Sequence, residues 1–347
     1  MCVVPGRPAR WAVRRRTVYR ERVPADSPVV SDLAEQDLLD RIFPHLPVGS
    51  RTLVPPGDDA AVVVAPDGRY VVTCDVLVED VHFRRRWSTG QDVGRRAAMQ
   101  NLADVAAMGA RPVALVVGLV TPPDTPVAWV EGLAEGLGDA CRPLDVGVVG
   151  GDLSSGPVVV VSVTAHGDLE GRDAVRRSGA RAGDVLAHAG RRGWSAAGLA
   201  LLAAGRGDDD PGLVRAYRAP EPDLDAGPAA ARGAATAMLD VSDGLLRDGR
   251  RLARASGVTL DLDDPLVGFA PDAARLAGAA TGLGADVRDW LLTGGEDHGL
   301  LATFPPDVPL PAPFRRIGSV LPRGTDLVLV DGRPPATTTT GWDHFGE

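Results

Sequence analysis

The sequence predicts an α+β protein made of two mixed αβ domains, and three observations carry that expectation. The chain has 347 residues, enough for two separate cores. Strand-like β-branched runs and helical apolar spacings are interleaved in both halves, without the strict alternation of a single doubly wound sheet. The pattern then restarts after Arg177-Ser178-Gly179-Ala180. The expected division is a tail over residues 1–30, an N-terminal domain over 31–175 and a C-terminal domain over 176–347.

The elements follow in order. Arg14, Arg15, Arg16, Arg20 and Arg22 lie in the tail without apolar periodicity and read as a solvated extension. Ser31 opens an amphipathic helix carrying Leu33, Leu38, Leu39, Ile42 and Phe43. Strands are expected at Ala60–Val64 and Tyr70–Asp75, then a helix over Asp92–Met108 that Gly109 terminates. Pro112–Val120, Val146–Val149 and Val158–Thr164 read as strands around a helix at Pro126–Cys141. Beyond the restart, Val185–His188 reads as a strand and Ala196–Ala204 as a helix. The acidic loop Gly205–Gly212 reads as a solvated turn. Helices are expected at Ala229–Met238 and Leu245–Ala255. Strands return at Val258–Leu262, Gly299–Thr303, Ile317–Leu321 and Asp326–Val330.

Composition narrows the function. A net charge of -9 argues against a general nucleic-acid surface. No apolar run reaches the length of a bilayer span. Cys2, Cys74 and Cys141 are few and scattered, which suits a reducing cytoplasm better than a disulfide framework. The chain contains no lysine. A Walker-type P-loop, a protein-kinase strand lysine and a pyridoxal Schiff base are excluded with it.

Acidic residues cluster instead at the ends of apolar runs, beside glycines. They are Asp58 and Asp59, Asp75, Asp152 after Gly150-Gly151, Asp240 and Asp243, and Glu296 and Asp297 after Gly294-Gly295. Asp104 lies among apolar neighbours in the expected helix, where an unpaired charge would be costly. The alternative for Asp104 is an exposed stripe shared with Arg96 and Gln100. Each of the other aspartates alone could be a cap or turn residue. If they converge, mutual repulsion of about 4 kcal/mol per close pair calls for bound cations. Mg²⁺ fits because it is hard and bridges carboxylates to phosphates. The histidines show no zinc-ligand spacing.

Taken in order, these motifs resemble the thiamine-monophosphate kinase family, within the superfamily of aminoimidazole ribonucleotide synthetase. The motifs are Gly57-Asp58-Asp59-Ala60-Ala61, Asp75 through His82-Phe83, Asn101 through Gly109, Gly150-Gly151-Asp152, Asp240-Val241-Ser242-Asp243-Gly244, Gly294-Gly295-Glu296-Asp297 and Gly341-Trp342-Asp343-His344-Phe345. The resemblance implies a homodimer built through the strands of the N-terminal domains, and transfer of phosphate from ATP to thiamine monophosphate with several Mg²⁺ ions. By matching positions, Asp59, Thr73, Asp75, Asp104, Asp152, Asp240 and Asp243 would hold metal, with Asp75, Asp104 and Asp152 the most direct participants in catalysis. Cys74 stands where the family has a hydroxyl residue, so a backbone carbonyl there would serve as the ligand. Gly151, Arg177 and Ser242 would contact ATP. His82, Glu296 and Trp342 would contact the thiamine substrate. The alternatives are another ATP-using enzyme of the superfamily, aminoimidazole ribonucleotide synthetase foremost, or a nucleotide-binding relative without turnover.

Overall fold

The computed structural model describes residues 27–55, 60–337 and 341–342. The arginines of the expected tail and Asp59 lie outside the described residues. The chain is docked from Pro28 onward: Val30 N donates to Thr125 O, and Val127 N donates to Pro28 O.

In the N-terminal half, α1 (Glu35–Ile42) precedes a short antiparallel pair, β1 (Thr52–Val54) and β2 (Val62–Val63). There follow β3 (Val71–Val78), α2 (Gly90–Ala107), β4 (Arg111–Thr121), α3 (Val127–Cys141), β5 (Gly147–Ser155) and β6 (Val160–Asp168). The four long strands make one sheet in the order β3-β6-β4-β5. Helices α2 and α3 cover one face. They approach so closely that a Cβ on Gly94 or Gly136 would strike a carbonyl of the opposite helix. A reciprocal capping box starts α2: Thr89 Oγ1 accepts from Asp92 N at 3.1 Å, and Asp92 accepts from Thr89 N at 3.0 Å. Its end is a Schellman turn, with Gly109 at φ 74° and Ala110 N donating to Val105 O.

The C-terminal half contains β7 (Val185–Ala189), α4 (Trp194–Ala203), α5 (Pro211–Arg218), α6 (Ala226–Arg232), β8 (Ala237–Val241) and α7 (Leu245–Ser256). It continues through β9 (Val258–Leu262), α8 (Pro265–Gly268), α9 (Ala270–Leu283), α10 (Val287–Thr293), β10 (Gly299–Phe304), β11 (Arg315–Pro322) and β12 (Val328–Val330). Its sheet runs β12-β9-β11-β7-β10-β8 and is antiparallel except for the β12–β9 pair. Apolar clusters lie on both faces. Leu186, Leu239 and Leu301 point to one, while Ala187, Met238, Leu300 and Phe304 point to the other.

Four local expectations are corrected. The helix expected over Ala229–Met238 stops at Arg232, before Gly233, and Ala237–Val241 is a strand carrying Asp240. The expected loop after Gly205 leads into α5, which Asp210 caps by accepting from Leu213 N, with Pro211 in the first turn. Helices α9 and α10 were not anticipated: the alanine- and glycine-rich sequence of α9 carries little apolar periodicity, and α10 has only seven residues. Gly150-Gly151-Asp152 lies inside β5, paired with Val116, Val117 and Gly118, so it is strand and not a turn.

Candidate active site

The acidic residues meet where α2 is packed between β3 of its own domain and β8 of the next. Asp104, on the last turns of α2, accepts from Thr73 Oγ1 at 2.9 Å. One turn earlier, Gln100 donates to Asp75 Oδ2 at 2.8 Å, and Asn101 Oδ1 accepts from Asp75 N at 2.9 Å. Strand alternation puts Thr73 and Asp75 on the same, helix-facing side of β3. Burial pushes the Asp104 carboxyl up to about 7, and the charges of Asp240 and Asp75 push in the same direction.

Asp240 is nearly buried at the edge of the C-terminal sheet, with His298 Nδ1 at 3.3 Å from its Oδ2. His298 Nε2 lies 3.9 Å from Glu296 Oε2, which also accepts from Arg96 Nη2. Burial opposes a charge on this imidazole, but Asp240 and Glu296 outweigh it and hold its pKa at about 10. Burial likewise works against the Glu296 carboxylate, and the Arg96 charge overcomes it, keeping the group well below the usual range. The result is an alternating chain of charges from Arg96 through Glu296 and His298 to Asp240, whose charge in turn bears on the like group Asp104.

The loop after β8 is fixed by Asp248, which accepts from Asp243 N at 2.9 Å and Gly244 N at 3.1 Å. Burial and then the Asp240 charge push Asp248 up to about 6. The Asp243 carboxylate is engaged by Arg251 at 2.7 Å. Ser242 O accepts from Glu296 N at 2.8 Å, tying this loop to Gly294-Gly295-Glu296. Trp342 N donates to Asp243 O at 2.9 Å, and its side chain is 51% exposed over the same loop. In the β3–α2 connection, Val78 N donates to His82 Nδ1 at 3.0 Å, which makes the neutral ring the Nε2-protonated tautomer.

Asp152 does not join this group within one subunit. Its neighbour Leu153 packs against the helix-covered core, so Asp152 points from the opposite face. The register Asp75–Val163–Val117–Gly151 places it three strands from Asp75, roughly 14 Å at about 4.8 Å per strand. Cys74 also faces that open side, with Sγ 3.6 Å from Ser162 Oγ, so its thiol is turned away from Thr73 and Asp75. Gly151 must be glycine because a Cβ would strike Val117 O, whereas Gly150 faces open space. Beside them is a cavity of about 480 Å³ lined by Tyr70, Val113, Val116, Val149 and His166. Arg177 is exposed on the connection between the sheets. Among the described residues, no three His, Cys, Asp or Glu side chains converge into a finished metal cage.

Residues 57–169 match the family described as AIR synthase related protein, N-terminal domain. The chain is 49% identical to a thiamine-monophosphate kinase of Mycobacterium tuberculosis over 322 residues, covering 93% of this chain and 95% of that one. It is 42% identical to one from Corynebacterium glutamicum, covering 92% and 96%. The chain belongs to the thiamine-monophosphate kinase family. Its structure resembles that of the Stenotrophomonas maltophilia K279a thiamine-monophosphate kinase (TM-score 0.73, 31% identity, 87% of this chain and 98% of that one). It also resembles AaThiL complexed with AMPPCP and TMP (TM-score 0.70, 30% identity, 92% and 100%).

Thiamine-monophosphate kinase motifs pointed to the acidic residues but not to their partners. Asp248 and His298 were given no site role from the sequence, Gln100 entered only as part of an exposed stripe and Asn101 only as the start of a motif. Arg96 was read only as a member of that exposed stripe. The stripe Arg96–Gln100–Asp104 repeats every four residues, a signal for one helix face. That face is not exposed: Arg96 is 1% accessible and points into the seam between the domains. Asp297, flagged as part of the acidic set, is structural. It accepts from Gly193 N at 2.6 Å and Ser195 N at 2.8 Å at the start of α4, beside the buried Arg192.

Proposed function

We propose that this chain phosphorylates thiamine monophosphate with ATP by direct in-line transfer, giving thiamine diphosphate and ADP. The observation that carries the reading is the set of carboxylates at the domain seam, half-buried Asp75 and Asp104 and buried Asp240, beside Glu296 and the exposed Trp342. Membership of the kinase family and the likeness to AaThiL complexed with AMPPCP and TMP supply the substrate pair.

Mg²⁺ is implied by the family, and the donor set suits it. Thr73, Asp75, Asp104 and Asp240 offer only oxygen, and burial with the neighbouring Asp240 and Asp75 charges pushes the Asp104 carboxyl up to about 7, a shift that a bound cation would oppose. Such an ion commonly keeps waters and uses one or two carboxylates plus substrate phosphates. When bound, such ions neutralise charge on the transferring phosphoryl group. Asp243 would join only on releasing Arg251. Of Cys74, only the backbone carbonyl is on offer.

The acceptor is a phosphate monoester whose second pKa is about 6, so its oxygen attacks without a strong general base. Positioning then falls to the protein. Trp342 offers a ring face to the thiazolium cation, His82 an Nε2–H donor, and Glu296 a fixed negative charge. Ser242, Gly151 and Arg177 are assigned to ATP, with the apolar cavity beside Gly151 sized for a purine ring.

A homodimer through the N-terminal sheets reconciles Asp152 with this site. The open sheet face carries Val72, Val76 and Val116 at 57%, 42% and 36% exposure. Strands β3 and β5 are the two edges of that sheet. Pairing two sheets face to face can bring the β5 edge of one subunit to the β3 edge of the other. Asp152 of the partner subunit would then lie at the edge strand β3 and reach the site around that edge.

The test is coupled ADP release with ATP and thiamine monophosphate, with Mg²⁺ or EDTA. Release that requires both thiamine monophosphate and Mg²⁺ is expected. ADP release that does not respond to thiamine monophosphate would favour another ATP-using enzyme of the superfamily.

A further inference from the structure

We propose that Arg96 is a positioning residue, through which the N-terminal domain aims the Glu296 carboxylate of the C-terminal domain at the thiamine part of the substrate. The inference rests on the functional reading above and adds a residue to it.

Arg96 is on α2, and its side chain is among the largest fully buried ones in the molecule. Its guanidinium makes three contacts, all with the C-terminal domain. Nη2 donates to Glu296 Oε2, Nη1 donates to Tyr217 O at 2.9 Å, and Cζ lies 5.0 Å from the Tyr217 ring centroid. A planar fork held at two tips and stacked on one face has little rotational freedom. Glu296 is constrained from its own side too. Its backbone sits at φ 68°, a conformation uncommon for a residue with a side chain, and its N–H is bound to Ser242 O. Side chain and main chain are thus fixed by different domains.

The consequence is a division of labour between the two carboxylate oxygens. Oε2 is occupied by Arg96 and faces His298. Among the described residues no donor bonds to Oε1, and the side chain keeps 31% of its surface accessible. One oxygen is therefore used for anchoring and the other is presented to the site. A substrate with a ring cation and an amino group is the class that a single fixed carboxylate oxygen recognises.

A structural ion pair alone would predict a loss of folding with no substrate signature. Positioning predicts a selective effect on one substrate, acting through one partner. The experiment compares wild type, Arg96→Met, Arg96→Lys, Glu296→Gln and the double variant Arg96→Met/Glu296→Gln, with thermal unfolding recorded for each. The expected result for Arg96→Met is a KM for thiamine monophosphate raised at least tenfold, with KM for ATP within threefold. Arg96→Lys keeps the charge but cannot hold both acceptors in one plane, so an intermediate KM is expected. The double variant should be no worse than Glu296→Gln, because the two residues act in series. If Arg96→Met fails to fold, Arg96→Lys carries the test by the same KM comparison. Equal changes in both KM values, or losses that multiply in the double variant, would overturn the assignment. A wild-type protein that releases no ADP in response to thiamine monophosphate would instead remove the functional reading beneath it.

Discussion

The two sheets of this protein bury their surfaces in opposite ways. In the C-terminal sheet, β8 and β10 are buried at every position, because helices cover one face and the domain seam covers much of the other. In the N-terminal sheet, β3 alternates between partly buried and exposed residues, with Val72, Cys74 and Val76 on its open side. A strand buried on both sides reads as a continuous apolar run, and one with an open face alternates. The contrast separates a finished core from an open face, the one proposed to pair with another copy of the chain. It also explains why the acidic residues reached from the helix face gather within one subunit, while Asp152 does not.

The largest effect should come from the site itself. Asp104→Asn and Asp152→Asn are each expected to reduce kcat by about 10²-fold or more, the order seen when a key electrostatic group is removed. Steady-state ADP release checks this, and a rate within threefold of wild type for both would break the assignment.

Stability should distinguish the two sheets next. Leu301→Ala, in the fully buried β10, is expected to cost about 2–5 kcal/mol in urea unfolding. Val72→Asp, on the open face, should cost the isolated subunit only about 0.5 kcal/mol or less. The same variant should shift the protein from dimer to monomer in sedimentation, since it places a charge in an apolar contact.

Protonation gives a smaller effect whose sign is fixed. In the metal-free protein the Asp104 carboxyl is pushed up to about 7, whereas in the unfolded chain it titrates near its ordinary value of about 4. The folded state therefore holds a proton that the unfolded state has lost. Stability in EDTA should fall as pH rises through that window, and Mg²⁺ should reduce the fall. Thermal unfolding at several pH values, with EDTA or Mg²⁺, measures it. The smallest effect concerns thiols in a Cys2→Ser background. Cys74 is exposed and should react with a thiol reagent more slowly as the protein dimerises. Cys141, buried and pushed up to about 12, should stay unreacted in the folded protein.

Much of the fold was legible because period-2 and period-3.6 patterns survive where one face is buried. Strands β4 and β9 and helices α2, α3 and α7 were read nearly to their ends. Helix α9 was not, since a run such as Ala-Gly-Ala-Ala-Thr-Gly-Leu carries almost no amphipathic signal. In the site, glycine-flanked aspartates were visible as an unusual pattern. Their supporting residues were not, because the roles of Arg96, Asp248 and His298 are set by elements distant in sequence that meet only in the fold. The side of the sheet on which Asp152 lies was hidden for another reason. Gly-Gly-Asp reads as a turn, and a turn has no alternation to count.

Mixing the two inactive variants tests most directly whether the carboxylates of one site come from two subunits. Asp104→Asn and Asp152→Asn proteins are combined, allowed to exchange subunits and assayed. A mixed dimer then keeps one site with both aspartates intact, and random pairing predicts roughly a quarter of wild-type activity. Mixed dimers that form but stay as inactive as either parent would contradict the account.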